Sequence, residues 1–206
     1  MMRGKLILAA VCVAAASCGG PGAAPIKLPP PAQSSGGEVK ISQYGQPLTL
    51  TGQTITLGQG APDATLRTPA NRDFSLSQLS GKVVLISVVP ELGTTICDRS
   101  TQRFDQVSQE LDKDLVVLIV NDDDPAAQSR WLREHHVSRV QLLSDAVHHS
   151  FGPAYGMQIQ EIGRLARGVF IKDRHDFIRY IEVERELAMD PIYDAAAAVL
   201  RQLEQE

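Results

Sequence analysis

The run Lys82-Val83-Val84-Leu85-Ile86-Ser87-Val88-Val89 limits the choice of fold more than any other stretch of this 206-residue chain. An unbroken, mostly β-branched run without polar alternation reads as a central strand buried on both faces. Such a strand needs a second layer over each face. Residues 115–120 give the same signal, and the segments beside them have helical spacing. In residues 95–111, Ile96, Phe104, Val107 and Leu111 fall mostly on one face, and residues 125–135 read as a second helix. Residues 140–143 form a strand, 146–155 a short helix, and 168–171 with 177–183 a hairpin turned at 172–176. Residues 191–203 close the chain as a helix with Pro191 early and Asp190 as its cap. Upstream, residues 38–44 and 47–51 pair as a β-hairpin turned by Gly45, and 54–57 form a short extension. Strands alternating with helices, followed by a hairpin and a helix, give an α/β sandwich.

The start of the chain reads differently. Arg3 and Lys5 precede the apolar stretch 6–16, which is too short to span a bilayer as a stable helix, so residues 1–17 are expected to be a signal peptide. The run Ala15-Ala16-Ser17-Cys18 resembles the lipobox of bacterial lipoproteins, in which the cysteine is acylated and becomes the new N-terminus. Ala15 stands where a lipobox usually has Leu, and ordinary cleavage after Ala16 stays open. Residues 19–37 are rich in Gly, Pro, Ala and Ser and are expected to be a tether. Gly19, rather than Asp, after the cysteine favours the outer membrane by the same resemblance. The expected location is the periplasmic side of the cell envelope, with the membrane held through lipidated Cys18.

Residues 38–206 suit one domain, which can bury roughly 70% of its unfolded surface. Removing Arg3 and Lys5 from 20 basic residues leaves 18 against 24 acidic ones, so a formal charge of −4 becomes −6. An acidic domain without a basic cluster argues against nucleic acid as a partner. With Cys12 lost in the signal and Cys18 acylated, Cys97 is left as a lone thiol in an oxidising compartment. It lies just after the buried strand and at the start of a helix, where free N–H groups and the helix dipole stabilise a thiolate.

Pro90-Glu91-Leu92-Gly93-Thr94-Thr95-Ile96-Cys97 fits the P-x-x-x-T-x-x-C pattern of peroxiredoxins, and the domain resembles the bacterial thiol peroxidase subgroup. Gly60-Ala61-Pro62-Asp63, Asp124-Pro125-Ala126-Ala127-Gln128-Ser129-Arg130, Ala154-Tyr155-Gly156 and Leu165-Ala166-Arg167 support it, and the likeness covers about residues 38–204. The resemblance implies a thioredoxin-like sandwich and a peroxidase acting on hydrogen peroxide or organic hydroperoxides. It makes Cys97 the peroxidatic cysteine and Thr94 a hydroxyl partner of the thiolate and peroxide. Pro90 would shape and shield the loop, and Arg167 would supply a fixed positive charge. No cofactor is implied, only an external thiol reductant or thioredoxin-like protein, and a homodimer is common in the subgroup.

Thiol peroxidases usually carry a resolving cysteine shortly after the segment 127–130. Here Trp131-Leu132-Arg133 follow, with Leu132 in its place, so the expected cycle is of the one-cysteine kind. The alternative is a non-catalytic thioredoxin-fold redox sensor or partner-binding module. Cys97-Asp98-Arg99-Ser100 also matches the C-x-x-S of monothiol oxidoreductases, but Ala166-Arg167 stands where those place a cis-proline. His135-His136 and His148-His149 are adjacent pairs pointing apart, which does not favour a metal site. Asp122-Asp123-Asp124 is expected to cap the helix at Pro125.

Overall fold

The computed structural model describes residues 39–111 and 114–205. The expected signal, Cys18 and tether lie outside the described residues. In chain order the strands and helices are β1 (Lys40–Gln43), β2 (Gln46–Thr51), β3 (Thr65–Arg67), β4 (Asp73–Ser75), β5 (Val84–Val88) and α1 (Thr95–Gln109). They continue with β6 (Val116–Asn121), α2 (Pro125–Glu134), β7 (Val140–Ser144), α3 (Phe151–Tyr155), β8 (Gln158–Ile159), β9 (Gly168–Lys172), β10 (Ile178–Val183) and α4 (Tyr193–Leu203).

β5 is buried at every position, as its composition requires. It lies inside a seven-stranded sheet of order β10-β9-β5-β6-β7-β3-β4, parallel to β6 and antiparallel to β9. Its side chains alternate between two cores. Val84, Ile86 and Val88 pack with Phe151, Tyr155, Leu76 and the small sheet β1-β2-β8 on one face. Leu85 joins Cys97 and Phe104 of α1, Trp131 of α2 and Leu200 of α4 on the other. The crossover from β5 through α1 to parallel β6 puts the first turn of α1 at the strands' C-terminal ends.

The expected N-terminal hairpin is present, with Ile41 opposite Leu48, and its tip turns through Tyr44 and Gly45, both at positive φ. Three local expectations need correction. Residues 54–57 form no strand, because Gln53 N–H donates to Pro153 C=O at 2.7 Å and Thr56 N–H to the Gln59 side chain at 2.9 Å. The helix expected over 146–155 begins only at Phe151. The Asp145 carboxylate accepts the N–H groups of Ser150, Phe151 and Gly152, and His149 sits at φ 47°, which ends any helix before it. Asp190 does not cap α4, whose cap position is Ile192. Its carboxylate instead takes Arg99 and the Tyr193 hydroxyl.

Candidate active site

Cys97 is the third residue of α1, within the turn whose N–H groups have no helical carbonyl to donate to. Its side chain packs into the helix-side core and is 2% exposed. Arg167, the residue before β9, is also 2% exposed. Its Nη2–H donates to Cys97 Sγ at 3.2 Å, its Nε–H to Leu187 C=O at 3.0 Å, and its Nη1–H points at Ser100 Oγ at 3.5 Å. The carbonyl and the hydroxyl are neutral, so no carboxylate hydrogen-bonds the guanidinium, although Asp190 and Glu184 feel its charge. Negative charge forming on that sulfur, or on an oxygen bonded to it, is stabilised by a donor already in place. Gly168 lets this corner close: a Cβ there would lie 2.5 Å from Glu182 C=O and 2.9 Å from Met157 Cε.

Pro90, Thr94, Cys97, Arg167, Leu187 and Tyr44 line a cleft of about 420 Å³. Tyr44, at the hairpin tip, is 81% exposed and forms its lip. The tip is fastened by the Glu186 carboxylate, which accepts from Ser42 Oγ and from the N–H groups of Tyr44 and Gly45.

The loop between β5 and α1 is fastened from below. Leu92 N–H donates to Asp123 at 2.8 Å, and Arg164 Nη1 reaches Pro90 C=O at 3.4 Å and Asp123 at 3.2 Å. Asp98 Oδ1 accepts Gly93 N–H at 2.8 Å and Trp131 Nε1–H at 2.7 Å. Burial pushes the Asp123 carboxyl above its ordinary range, offset by the Leu92 N–H and Arg164. Partial burial pushes the half-buried Asp122 up to about 6, opposed mainly by the Leu165 N–H.

Behind Arg167 lies a pair of acids. Glu182 Oε2 accepts from Tyr180 O–H at 2.7 Å and Oε1 from Ile192 N–H at 2.7 Å. Burial, then its hydrogen bond to Glu182, pushes Glu184 up to about 8, with Arg167 pulling the other way. Ser100 Oγ also meets Tyr193 Oη at 2.9 Å. Burial holds the Tyr193 phenol up at about 12, so it stays protonated at neutral pH.

The structure brings Pro90, Thr94, Cys97 and Arg167 to one cleft. Thr94 is the cap residue of α1, but its hydroxyl donates to Glu91 C=O at 3.1 Å rather than to the sulfur. Of the three aspartates, only Asp124 caps α2, accepting Ala126 N–H at 2.7 Å. Leu132 is half-buried against the helix-side core. The histidine pairs are used separately: His148 meets Asp73 at 2.7 Å, and His135 stacks on Trp131 at 4.1 Å. Among the described residues no three His, Cys, Asp or Glu side chains form a metal-binding group. Sequence reasoning missed Asp98, Trp131, Asp123, Arg164 and the two glutamates.

A buried cysteine in the first turn of a helix, facing a buried arginine across the end of an α/β sheet, defines a thioredoxin-like protein built for cysteine redox chemistry. Residues 57–181 match the AhpC/TSA family. The chain is 38% identical over 155 residues to the thiol peroxidase of Bacillus subtilis, covering 75% of this chain and 92% of that protein. It is 38% identical over 159 residues to that of Streptococcus parasanguinis, covering 77% and 96%. A peroxiredoxin-like protein from Aquifex aeolicus superposes with TM-score 0.76 at 28% identity, covering 80% of this chain and 97% of that one. The thiol peroxidase of Chromobacterium violaceum, 21% identical with TM-score 0.72, covering 82% and 99%, shares the fold. The chain belongs to the AhpC/TSA family of peroxiredoxins, in its bacterial thiol peroxidase group.

Proposed function

We propose that this thiol peroxidase runs its cycle with one cysteine and an external thiol. The Cys97 thiolate attacks the terminal oxygen of a hydroperoxide. An S–O bond forms as the O–O bond breaks, leaving Cys97 sulfenic acid and an alkoxide or hydroxide that takes a proton from water. Arg167 stabilises the charge as it moves from sulfur to the leaving oxygen. Thr94 turns its hydroxyl from Glu91 C=O toward the bound peroxide, and Pro90 keeps water from the sulfur. A thiol then condenses with the sulfenic acid, releasing water, and a second thiol displaces Cys97 with the first thiol as a disulfide. The observation that carries this reading is the 3.2 Å contact of Arg167 with the Cys97 sulfur at the floor of an open cleft.

Among the described residues Cys97 is the one cysteine, and Leu132 occupies the place of the usual second thiol. The Ala15-Ala16-Ser17-Cys18 run and the Gly- and Pro-rich residues 19–37 support a lipid-anchored location on the periplasmic side of the envelope. A homodimer is part of the same reading and rests on the resemblance to thiol peroxidases.

Mass spectrometry of the mature protein after less than one equivalent of peroxide tests this reading. It is expected to show a trappable sulfenic acid on Cys97, an acylated Cys18 and no intrachain disulfide. Unmodified Cys97 would count against the peroxidase cycle, and an unacylated N-terminus against the anchor.

A further inference from the structure

The floor of the cleft and the way its loop is fastened together point to a particular class of reductant. Asp98 joins three parts of the site: the β5–α1 loop through Gly93 N–H, the first turn of α1 to which it belongs, and α2 through Trp131 Nε1–H. Its second oxygen lies 3.6 Å from His135 Nε2. The His135 ring lies nearly parallel to the indole, 7° between planes, with Nδ1 3.0 Å from Trp131 C=O. Thr101 Oγ1 adds a bond to Cys97 C=O at 2.9 Å. Unwinding the first turn of α1 therefore breaks two hydrogen bonds to one carboxylate and uncovers a buried indole.

Transfer of a disulfide requires the attacking sulfur to reach Cys97 in line with the bond being broken. A thiol on the surface of a protein domain meets the rim formed by Tyr44, Pro90 and Leu187 before it meets a sulfur that is 2% exposed. A small thiol fits a cleft of about 420 Å³ without disturbing that rim.

We propose that the Asp98–Trp131–His135 clamp holds the Cys97 turn closed throughout the cycle and that the reductant is a small, non-protein thiol rather than a protein dithiol. Two small thiols are consumed per peroxide: the first forms a mixed disulfide with Cys97 and releases water, and the second regenerates Cys97 and leaves as the disulfide of the two. Asp98 acts as a positioning residue, through the loop and α2. The inference rests on the one-cysteine reading above.

The test compares glutathione with reduced thioredoxin as attackers of oxidised Cys97, followed by mass spectrometry and by the fluorescence of Trp131, the single tryptophan. Two oxidised forms are used: the sulfenic acid made with peroxide and the mixed disulfide with thionitrobenzoate. The second form does not depend on peroxide reactivity. Failure to form sulfenic acid therefore speaks against the peroxidase reading, while the thiol comparison still decides this one. Glutathione is expected to react faster than thioredoxin with both forms of the unaltered protein. Asp98→Ala is expected to shift the ratio toward thioredoxin by about tenfold or more, the size of one lost charge-assisted hydrogen bond. Asp98→Asn, which keeps an oxygen acceptor for both N–H groups, is expected to restore the ratio. Trp131→Phe, which removes the donor, leaves a smaller aromatic ring and is followed by mass spectrometry alone, is expected to shift it in the same direction as Asp98→Ala. Equal or faster reaction of thioredoxin with the unaltered protein would overturn the inference. So would a ratio unmoved by both Asp98→Ala and Trp131→Phe.

Discussion

Two buried cations bracket β9, and they are used in opposite ways. Arg167, before the strand, spends its donors on a carbonyl, a hydroxyl and a thiol, and faces the open cleft of about 420 Å³. Lys172, at the strand's last position, gives its ammonium to Leu79 C=O at 2.8 Å, Lys82 C=O at 3.1 Å and the Asp176 carboxylate. It borders a smaller, mainly apolar cavity of about 180 Å³ on the other side of the sheet. A buried charge matched by a carboxylate ties chain segments together. One aimed at a sulfur is available to negative charge that develops there. In the proposed cycle the same strand holds a cation for chemistry at one end and one for the fold at the other.

Replacing each cation in turn separates these roles. Arg167→Met is expected to slow peroxide oxidation of Cys97 by about 10²–10³, as loss of one preorganised donor to a developing anion does, measured by stopped flow. Lys172→Met is expected to leave that rate unchanged and to lower unfolding stability by about 1–3 kcal/mol in denaturant titration, because two carbonyls lose their donor. Equal effects of the two on rate would erase the distinction.

A smaller effect concerns the acids behind Arg167. Glu184 binds its proton more tightly folded, at about 8, than unfolded, where the ordinary value is 4.5. Its contribution to stability is therefore fully present below about 4.5 and is lost as pH rises through about 8. Glu184→Gln, which keeps a neutral side chain there, is expected to remove that loss. Thermal unfolding of the variant and the unaltered protein should then diverge between pH 5 and 9. Parallel curves would mean that Glu184 titrates normally.

The layered sandwich was legible because β5 and β6 carry an apolar composition that allows only a central place, and because the two helices beside them keep a helical period. Cys97 stood out through its place after a buried strand, and Pro90, Thr94 and Arg167 through a resemblance that the cleft brings together. What stayed hidden were contacts between distant elements. Asp98 meets Trp131 across 33 residues and Arg167 meets Ser100 across 67, and no period along the chain encodes such a meeting. One signal was present: Glu182 stands between Ile181 and Val183 in β10, with Glu184 just past its end, where the strand is otherwise made for burial apart from Arg179. Charged residues in such a strand need buried partners. Asp190 misled because a carboxylate before a helix ordinarily caps it, and here Arg99 and Tyr193 compete for it successfully.

In the proposed cycle Cys97 is a peroxide-attacking sulfur activated by the arginine beside it. Stopped-flow oxidation of the reduced protein by hydrogen peroxide, followed through Trp131 and set beside free cysteine under the same conditions, tests it most directly. Cys97 is expected to react far faster than free cysteine, and Arg167→Met to remove most of the difference. A rate no faster than that of free cysteine would contradict it.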